Sequence, residues 1–500
     1  MRDTLLVGTA VLSAGCSVFF NPDNIHKGDG SIRIIDASDD AQLQDSQVIG
    51  IADPTMIRVE SAYPLMLDEG TGAYGSRPAI VALHGDNFVK ETANLSVTFT
   101  PSTAATLIDL KVSSDHKYVV LAVSVPIDTS CAPPNAIPVM VTVTQDDGMG
   151  GTATAHLTDA FSIHCLNELT ANVESVALDA KYSTIDLAAA LTFTPQAVAT
   201  RAAILRSASH IVIAGAVAAS AAGASPGPGG GIGGGANAPG TGPGHGQKGL
   251  GVVGSGGGGG GAGFVIAGKA GTGNGAGDGL GGVATGDPWL ASYVTNQPSG
   301  GGGGQSSTSV GGLGGAGGGM IELTASGDIS VAAVTATGGN STAGTAPAGA
   351  GGAGAGGVIL LRTGGTIATG ALAVAPGTTI GNGGASSNGR IRIDAAAGTI
   401  LAGVTIGPMF SGALVVATEY PVVSLRGTPG DQTSTLLVLD RSGNLVDNGH
   451  LYHPIFDVSG AAQITPVLKV GFNHICVLVA GNVDPSIAEG TNCIDLGYAP

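Results

Sequence analysis

Glycine constrains the fold of this chain more than any other residue type. It supplies 87 of the 500 residues, more than twice its share of roughly 7% in an average protein. Residues 221–320 alone hold 43 glycines and only four charged side chains, which are Lys248, Lys269, Asp278 and Asp287. A tract of this kind is typical of a flexible linker. The alternative is a set of insertions that pack as extended or polyproline-II segments against a folded neighbour.

The spacing of these glycines does not favour a regular bundle of three-residue helices. Such helices need glycine at every third position, whereas Gly256 to Gly261 is an unbroken run. Two embedded apolar stretches, 263–267 and 287–293, do indicate some ordering, because large side chains need a surface to bury against.

A strand-like unit recurs around and within the glycine tract, which indicates a repeat architecture. Its four copies begin at Ala203, Met320, Val358 and Arg390, and each alternates Ile, Leu, Val or Ala with Arg, Glu, Thr or Ser. Alternation places the apolar residues on one face of a strand. A unit of roughly 20 residues predicts one coil of a parallel β-solenoid. We therefore expect a glycine-rich parallel β-solenoid over residues 166–411, similar in pattern to the right-handed β-helix of many exported surface proteins.

Residues 56–165 consist of strand-like runs separated by turn signals, which is typical of a β-sandwich. The runs are Met56–Val59, Ala79–Leu83, Leu95–Phe99, Tyr118–Val125 and Val139–Thr144. Gly85-x-Asn87-Phe88, together with Val123-x-Val125-Pro126 and Ala160-Phe161-Ser162-Ile163, resembles the IPT/TIG family of immunoglobulin-like domains. The resemblance implies an Ig-like sandwich that serves as an interaction module or spacer.

Residues 412–500 contain four further strand-like runs, which are Pro421–Leu425, Thr435–Leu439, His453–Val458 and Ile475–Val479. The Gly471-x-Asn473 turn before the last run resembles bacterial Ig-like modules of surface and carbohydrate-active proteins. The predicted fold class is all-β: an Ig-like β-sandwich, a glycine-rich parallel β-solenoid and a C-terminal Ig-like β-sandwich.

The first sixteen residues have the features of an export signal. The apolar run Thr4–Leu12 is far shorter than the ~20 residues that span a bilayer. Leu12-Ser13-Ala14-Gly15-Cys16 resembles the lipobox of bacterial lipoproteins. The resemblance implies a signal peptide over residues 1–15, a lipid anchor on Cys16 and a tether over residues 16–55. Ser17 after the anchor implies the outer membrane, facing the periplasm or the cell surface; an ordinary signal peptide with a chance cysteine is the alternative.

The four remaining cysteines, Cys131, Cys165, Cys476 and Cys493, form an even set that allows three pairings. Pairing sequence neighbours would give each predicted sandwich one disulfide, as suits an exported protein. The cysteines and histidines lack zinc-site spacing, so we predict neither a metal site nor a cofactor.

The formal net charge of −17 argues against nucleic acid as a partner, since phosphates require a basic surface. The same charge would repel an anionic membrane surface. The predicted link to the membrane is therefore the N-terminal lipid.

A polysaccharide-cleaving β-helix enzyme needs paired carboxylates, or a carboxylate cluster with a basic residue, on one face. The candidates are Glu322, Asp328, Arg362, Arg390, Arg392 and Asp394. Arg390, Arg392 and Asp394 alternate along one strand, and we expect them to form a solvated outer face. We read His84 and His210 as structural residues, and Trp289 and Tyr293 as packed loop anchors.

The sequence therefore predicts no catalytic residues and a non-catalytic adhesin or surface scaffold. The expected partners are the membrane, through the lipid, and a cell-surface glycan or an envelope protein. A polysaccharide-acting β-helix enzyme and a passive structural spacer are the alternatives.

Replacing Cys16 tests the lipid anchor. We expect Cys16→Ser to abolish incorporation of labelled palmitate and to move the protein out of the membrane fraction, because serine has no thiol to carry the thioether. Labelling that persists in this variant would contradict the prediction.

Overall fold

The computed structural model describes residues 55–73, 76–128, 131–146, 150–170, 180–195, 201–252, 255–273, 277–286, 297–306, 309–397, 405–406, 409–411, 414–427, 429–430, 432–478 and 492–500. The chain is all-β: in the described residues the helical elements are two short 3-10 helices, Thr92–Asn94 and Asp447–Gly449. None of the described helices has the length and apolar character that crossing a membrane requires. The lipid-anchor residue Cys16 lies outside the described residues.

The strands, numbered in chain order, are β1 Arg58–Tyr63, β2 Met66–Asp68, β3 Ala79–Asp86, β4 Leu95–Thr100, β5 Thr106–Val112, β6 Tyr118–Ser124, β7 Ala136–Asp146, β8 Thr152–His164, β9 Asn167–Leu169, β10 Ala180–Leu187, β11 Leu191–Thr192, β12 Ala203–Ser207, β13 Ile211–Ala218, β14 Gly251–Val252, β15 Ser255–Gly256, β16 Met320–Ala325, β17 Ile329–Thr335, β18 Val358–Ala373, β19 Arg390–Ala397, β20 Thr405–Ile406, β21 Met409–Ser411, β22 Val415–Val416, β23 Val423–Arg426, β24 Thr435–Asp440, β25 Ala461–Ile464, β26 Gly471–Leu478 and β27 Asn492–Tyr498.

The N-terminal sandwich consists of two four-stranded sheets, ordered β1-β3-β6-β5 and β2-β8-β7-β4. Alternate residues of both sheets fill one core, in which Leu83, Val119 and Val141 are fully buried. A disulfide joins Cys131 to Cys165 in this part of the chain. Each strand-like run identified in this part of the sequence overlaps an observed strand, since one buried face imposes the period of two.

The central region is a sheet of parallel strands in register. Ala203 in β12 pairs with Ile321 in β16, which pairs with Ile359 in β18, which pairs with Ile391 in β19. A second row runs through β13, β17 and the later half of β18. The inward residues form a single apolar core. All four repeat copies fall on these strands, but the intervals between paired residues are longer than the expected 20, because glycine-rich segments separate the strands.

The C-terminal sandwich pairs a three-stranded sheet, β21-β23-β25, with a four-stranded sheet, β22-β27-β26-β24. Cys476 and Cys493 lie opposite each other on β26 and β27 and form the second disulfide. The predicted strand His453–Val458 is wrong. That segment is irregular, although its Phe456 is buried in the core.

The glycine-rich segments form a bundle of extended helices with three residues per turn. In the middle helix, residues 257–263, the main-chain N–H groups all donate to other segments of the chain. Gly257, Gly258 and Gly259 donate to three different segments, and the next three residues donate to the same three segments in the same order. A return after three residues is the repeat of a polyproline-II-type helix, which has no internal hydrogen bonds.

Six segments surround the middle helix. Three accept its N–H groups and three donate to its carbonyl oxygens, so its main-chain polar groups are paired without any β-sheet. Residues 299–305 are enclosed in the same way. The six neighbours of the middle helix are 244–250, 268–272, 349–357, 277–282, 299–305 and 382–389.

Close approach of these main chains requires glycine. A Cβ atom on Gly260 would lie 1.9 Å from the carbonyl oxygen of Leu280, and one on Gly261 would lie 2.0 Å from that of Ala385. Because a fully surrounded helix has a neighbour on every side, it needs small residues at all three positions of each turn. An unbroken glycine run is therefore the pattern of the innermost helix. The expectation that this run speaks against a regular bundle is wrong, and so is the flexible-linker interpretation for the described part of the tract.

A matched pair of glycine substitutions tests the bundle. Gly260→Ala should lower the free energy of unfolding by at least the roughly 1–3 kcal/mol typical of an over-packed core, because main-chain atoms have little freedom to move aside. Gly235→Ala should cost nothing, since a Cβ there meets no atom within 4 Å, and it restricts the unfolded chain. Chemical denaturation measures both; equal stability of the two variants would contradict the bundle.

Candidate functional site

Four charged residues that the sequence singled out come together on the outer face of the parallel strands. Arg362 in β18 pairs in register with Asp394 in β19. Glu322 in β16 and Arg392 in β19 occupy the adjacent position along their strands. Because parallel strands in register stack equivalent residues, side chains about 4.8 Å apart form rows across the sheet.

These four side chains form a connected ion-pair cluster. Arg392 Nε lies 2.9 Å from Asp394 Oδ1, and Arg362 Nε lies 3.6 Å from Asp394 Oδ2. Arg362 also approaches Glu322 Oε1 at 3.8 Å. The Thr324 hydroxyl donates to the same Glu322 oxygen. The cluster holds two positive and two negative charges that compensate each other.

The expectation of a solvated face at Arg392 and Asp394 is wrong. The side chains of both are only 1% exposed, and that of Glu322 is 3% exposed. Sequence alternation identifies which side of the strand they occupy but not what covers that side. Asp328 has other partners: it is exposed and accepts hydrogen bonds from the main chain and hydroxyl of Thr366. Arg390 begins β19, two residues before Arg392.

The two single histidines have local partners, as structural residues do. His84 lies 3.5 Å from Glu60 and against the Tyr118 ring. His210 contacts the hydroxyl of Ser209. Trp289 and Tyr293 lie outside the described residues.

The surface of the glycine bundle carries apolar side chains that the sequence did not single out. Leu280 and Val283, three residues apart on one helix, are 68% and 65% exposed. Leu250 lies at the end of the neighbouring helix 244–250, and Ile266 lies in the bend that precedes helix 268–272; both are also exposed. Hydrogen bonds from residues 247 and 268 to residues 280 and 282 place these helices side by side. Exposed apolar groups in one area are typical of a contact surface.

A cleft of about 870 Å³ lies where the two sandwiches meet the parallel strands. Its lining includes Arg77 and Tyr63 from the N-terminal sandwich, Arg206 and Arg362 from the parallel strands, and Phe472 from the C-terminal sandwich. The Tyr63 and Phe472 rings meet edge to face with centroids 4.9 Å apart. Sequence reasoning missed this cleft because its walls come from three distant parts of the chain.

Two groups that line the cleft keep their ordinary ionisation states at neutral pH although burial shifts the pKa of each. Burial raises the pKa of the Tyr63 phenol above its usual value, and the negative charges of Asp495 and Asp440 raise it further. The phenol therefore stays neutral. Burial lowers the pKa of the Arg77 guanidinium, but arginine starts from so high a pKa that it remains charged.

No protein-family model matches this chain, and no curated protein matches it either. A solved structure of protocadherin gamma B2 extracellular cadherin domains 3–6 is similar to it at 10% sequence identity and a TM-score of 0.16, covering 89% of this chain and 79% of that one. A similarity with a TM-score this low assigns neither a fold family nor a function to this chain. The chain's own residues therefore carry the functional argument.

Breaking the buried ion-pair cluster should be costly. Asp394→Asn leaves the guanidinium of Arg392 buried beside a neutral group, and loss of one partner of a buried pair costs about 3–5 kcal/mol. Chemical denaturation measures the loss. The control is Glu60→Gln, which removes an exposed partner of Arg58 and should cost under about 1 kcal/mol. Equal effects would contradict the assignment of Asp394 as a buried partner.

Proposed function

We propose that this chain is a non-catalytic adhesin of the bacterial envelope, anchored in the outer membrane through Cys16, that contacts a cell-surface glycan. The lipobox-like sequence Leu12–Cys16 supports the anchor. The disulfides Cys131–Cys165 and Cys476–Cys493 support an oxidising compartment. Both features favour a protein that works outside the cytoplasm.

The order of the glycine bundle is the observation that carries the proposal. A flexible tract would present no fixed surface, whereas the hydrogen-bonded helices hold Leu250, Ile266, Leu280 and Val283 at set positions. A surface that is already ordered loses little conformational entropy when it binds. The apolar side chains on this surface can pack against the apolar faces of sugar rings.

Two finer assignments of fold belong to the same proposal. The in-register parallel strands β12, β16, β18 and β19 fit successive coils of a β-solenoid. The Gly85-x-Asn87-Phe88 element fits the IPT/TIG interpretation of the N-terminal sandwich, with Phe88 fully buried in its core. We expect both sandwiches to act as spacers or interaction modules around the solenoid.

The buried cluster supports a non-catalytic role. A glycoside hydrolase needs two carboxyl groups on either side of the scissile bond, in contact with the substrate. Asp394 and Glu322 each form an ion pair with an arginine, and both side chains are almost fully buried. Two of the three candidate carboxylates are therefore in ion pairs away from solvent, and the third, Asp328, is exposed.

Substitution on the bundle surface tests adhesion. We expect the double variant Leu280→Asp, Val283→Asp to reduce adhesion at least tenfold, because a hydrated carboxylate cannot pack against the apolar face of a sugar ring. Adhesion is measured as the retention, under flow, of beads that display the acylated protein on a surface coated with envelope polysaccharide.

The matched control is Val458→Asp, which adds a carboxylate at a residue 98% exposed on the C-terminal sandwich. It should leave retention unchanged, and both variants should keep the wild-type melting temperature. If the wild-type protein itself shows no retention, the passive-spacer alternative replaces the adhesin.

A further inference from the structure

Four side chains of metal-ligand types share one face of the C-terminal sandwich. In the antiparallel pair of β26 and β27, Cys476 lies opposite Cys493 and His474 lies opposite Asp495. His474 and Cys476 are two residues apart, as are Cys493 and Asp495, and residues two apart lie on the same face of a strand. Two sulfurs, an imidazole and a carboxylate are therefore grouped on two neighbouring strands.

The main chain beneath this group is held by packing as well as by the disulfide. Ile475, Val477 and Ile494 alternate with the four residues and are buried in the core of the sandwich. Strand β26 also pairs with β24 along the whole of β24. Because the sheet and its core hold these strands, we expect the four side chains to stay grouped when the disulfide is opened.

The distances suit a common metal ligand set. The sulfurs of Cys476 and Cys493 and a ring nitrogen of His474 lie within 4.8 Å of one another. Ligand atoms at about 2.0–2.3 Å from a tetrahedral zinc ion lie roughly 3.3–3.8 Å apart. Small side-chain rotations would therefore bring the three atoms around one ion. In the described part of the chain, no comparable group of ligands surrounds the disulfide Cys131–Cys165.

Asp495 holds the imidazole in place. Its Oδ1 atom lies 2.7 Å from Nδ1 of His474. Histidine ligands of metals are commonly oriented by a carboxylate in this way, and the carboxylate also makes the imidazole a stronger ligand. Asp495 is therefore a positioning residue, and its negative charge favours a cation beside it.

The group is accessible from the cleft between the sandwiches and the parallel strands. His474, Cys493 and Asp495 line the cleft, and the side chains of His474 and Asp495 are 38% and 39% exposed. Cys476 is fully buried behind them. A reductant therefore reaches the sulfur of Cys493 first, and a metal ion can enter by the same route.

We infer that reduction of the Cys476–Cys493 disulfide creates a zinc site, with Cys476, Cys493 and His474 as ligands and Asp495 as the positioning residue. Thiolates and imidazole are the donors that Zn²⁺ prefers over the oxygen ligands of Ca²⁺ or Mg²⁺. Three protein ligands leave the fourth position to water from the cleft. The inference goes beyond the proposed function and does not depend on it.

The reaction balances with a dithiol as the reductant. A thiolate of the dithiol attacks the sulfur of Cys493 and releases Cys476, and the second thiol then releases Cys493 as the dithiol closes to a disulfide. Two electrons pass to the two cysteines. Zn²⁺ then displaces their thiol protons into solvent. The ion replaces the disulfide as the link between β26 and β27.

The expectation that the chain has no metal site rests on the loop spacing of zinc fingers. Here the ligands come from two paired strands, and the two cysteines are 17 residues apart. The strand pairing, which sequence spacing does not reveal, brings them together.

Titration with Co²⁺ tests the inference. The full-length Cys16→Ser chain, which has no other unpaired cysteine, is reduced under nitrogen with a phosphine, because a dithiol would itself bind the metal. We expect one Co²⁺ per chain with a thiolate-to-cobalt absorption band, which Zn²⁺ then abolishes. The oxidised chain should show no such band. Absence of the band after reduction, or the same band before reduction, overturns the inference.

Variants assign the site to these residues. His474→Gln and Asp495→Asn keep both thiols and should weaken Co²⁺ binding roughly 10–100-fold. The matched control Cys131→Ser, Cys165→Ser removes the other cysteine pair and should leave binding unchanged. Unchanged affinity in His474→Gln would show that any pair of thiols suffices and overturns the assignment, as does loss of the band in the control.

Alkylation of the reduced Cys16→Ser chain gives a measurement that needs no change in the site. Zn²⁺ should slow the reaction of Cys476 and Cys493 with iodoacetamide at least tenfold and leave that of Cys131 and Cys165 unchanged, as mass spectrometry of the peptides measures. Equal protection of both pairs, or protection of neither, overturns the inference. This measurement decides the matter even where a variant of His474 or Asp495 fails to fold.

Discussion

The central region depends on the missing side chain of glycine. Only without a Cβ can main chains come close enough for the N–H groups of residues 257–263 and the C=O groups of residues 257–262 to pair with neighbouring segments, as the approach of Gly260 to Leu280 illustrates. Glycine loses more backbone freedom on folding than any other residue. An isolated helix of this kind would therefore be unstable, and its order requires the surrounding helices to form with it.

The parallel strands provide the alignment that the bundle needs. Segments 312–319, 349–357 and 382–389 lead directly into β16, β18 and β19. Because these strands are parallel and in register, the segments that precede them also run parallel, and main-chain hydrogen bonds join them from Gly318 to Ala355 and from Gly356 to Ser387. The apolar core of the strands thus fixes the register of helices that have almost no side chains of their own.

The charged side chains on the parallel strands differ in their surroundings along one row of the sheet. Along the same row of the sheet, Arg206 faces the cleft while Asp394 is buried. A buried charge is tolerated only with partners, because burial removes its hydration. The cluster around Asp394 meets that requirement. The row therefore changes along its length from side chains that line the cleft to side chains that are buried and paired with one another.

The sequence by itself determined the all-β class, most strand positions in both sandwiches, the inward faces of the repeated strands and the cysteine set that forms the two disulfides. These features arise from local alternation and composition, which a single strand already displays. Tertiary structure alone decided that the glycine run 257–261 is the centre of a regular bundle, that Arg392 and Asp394 are buried, and that Lys181, Arg206 and Arg362 line one cleft. The reason is physical: a fully enclosed helix needs a small residue at nearly every position, so its repeat of three leaves no trace in the sequence. Burial and cleft formation likewise depend on partners that lie far away along the chain.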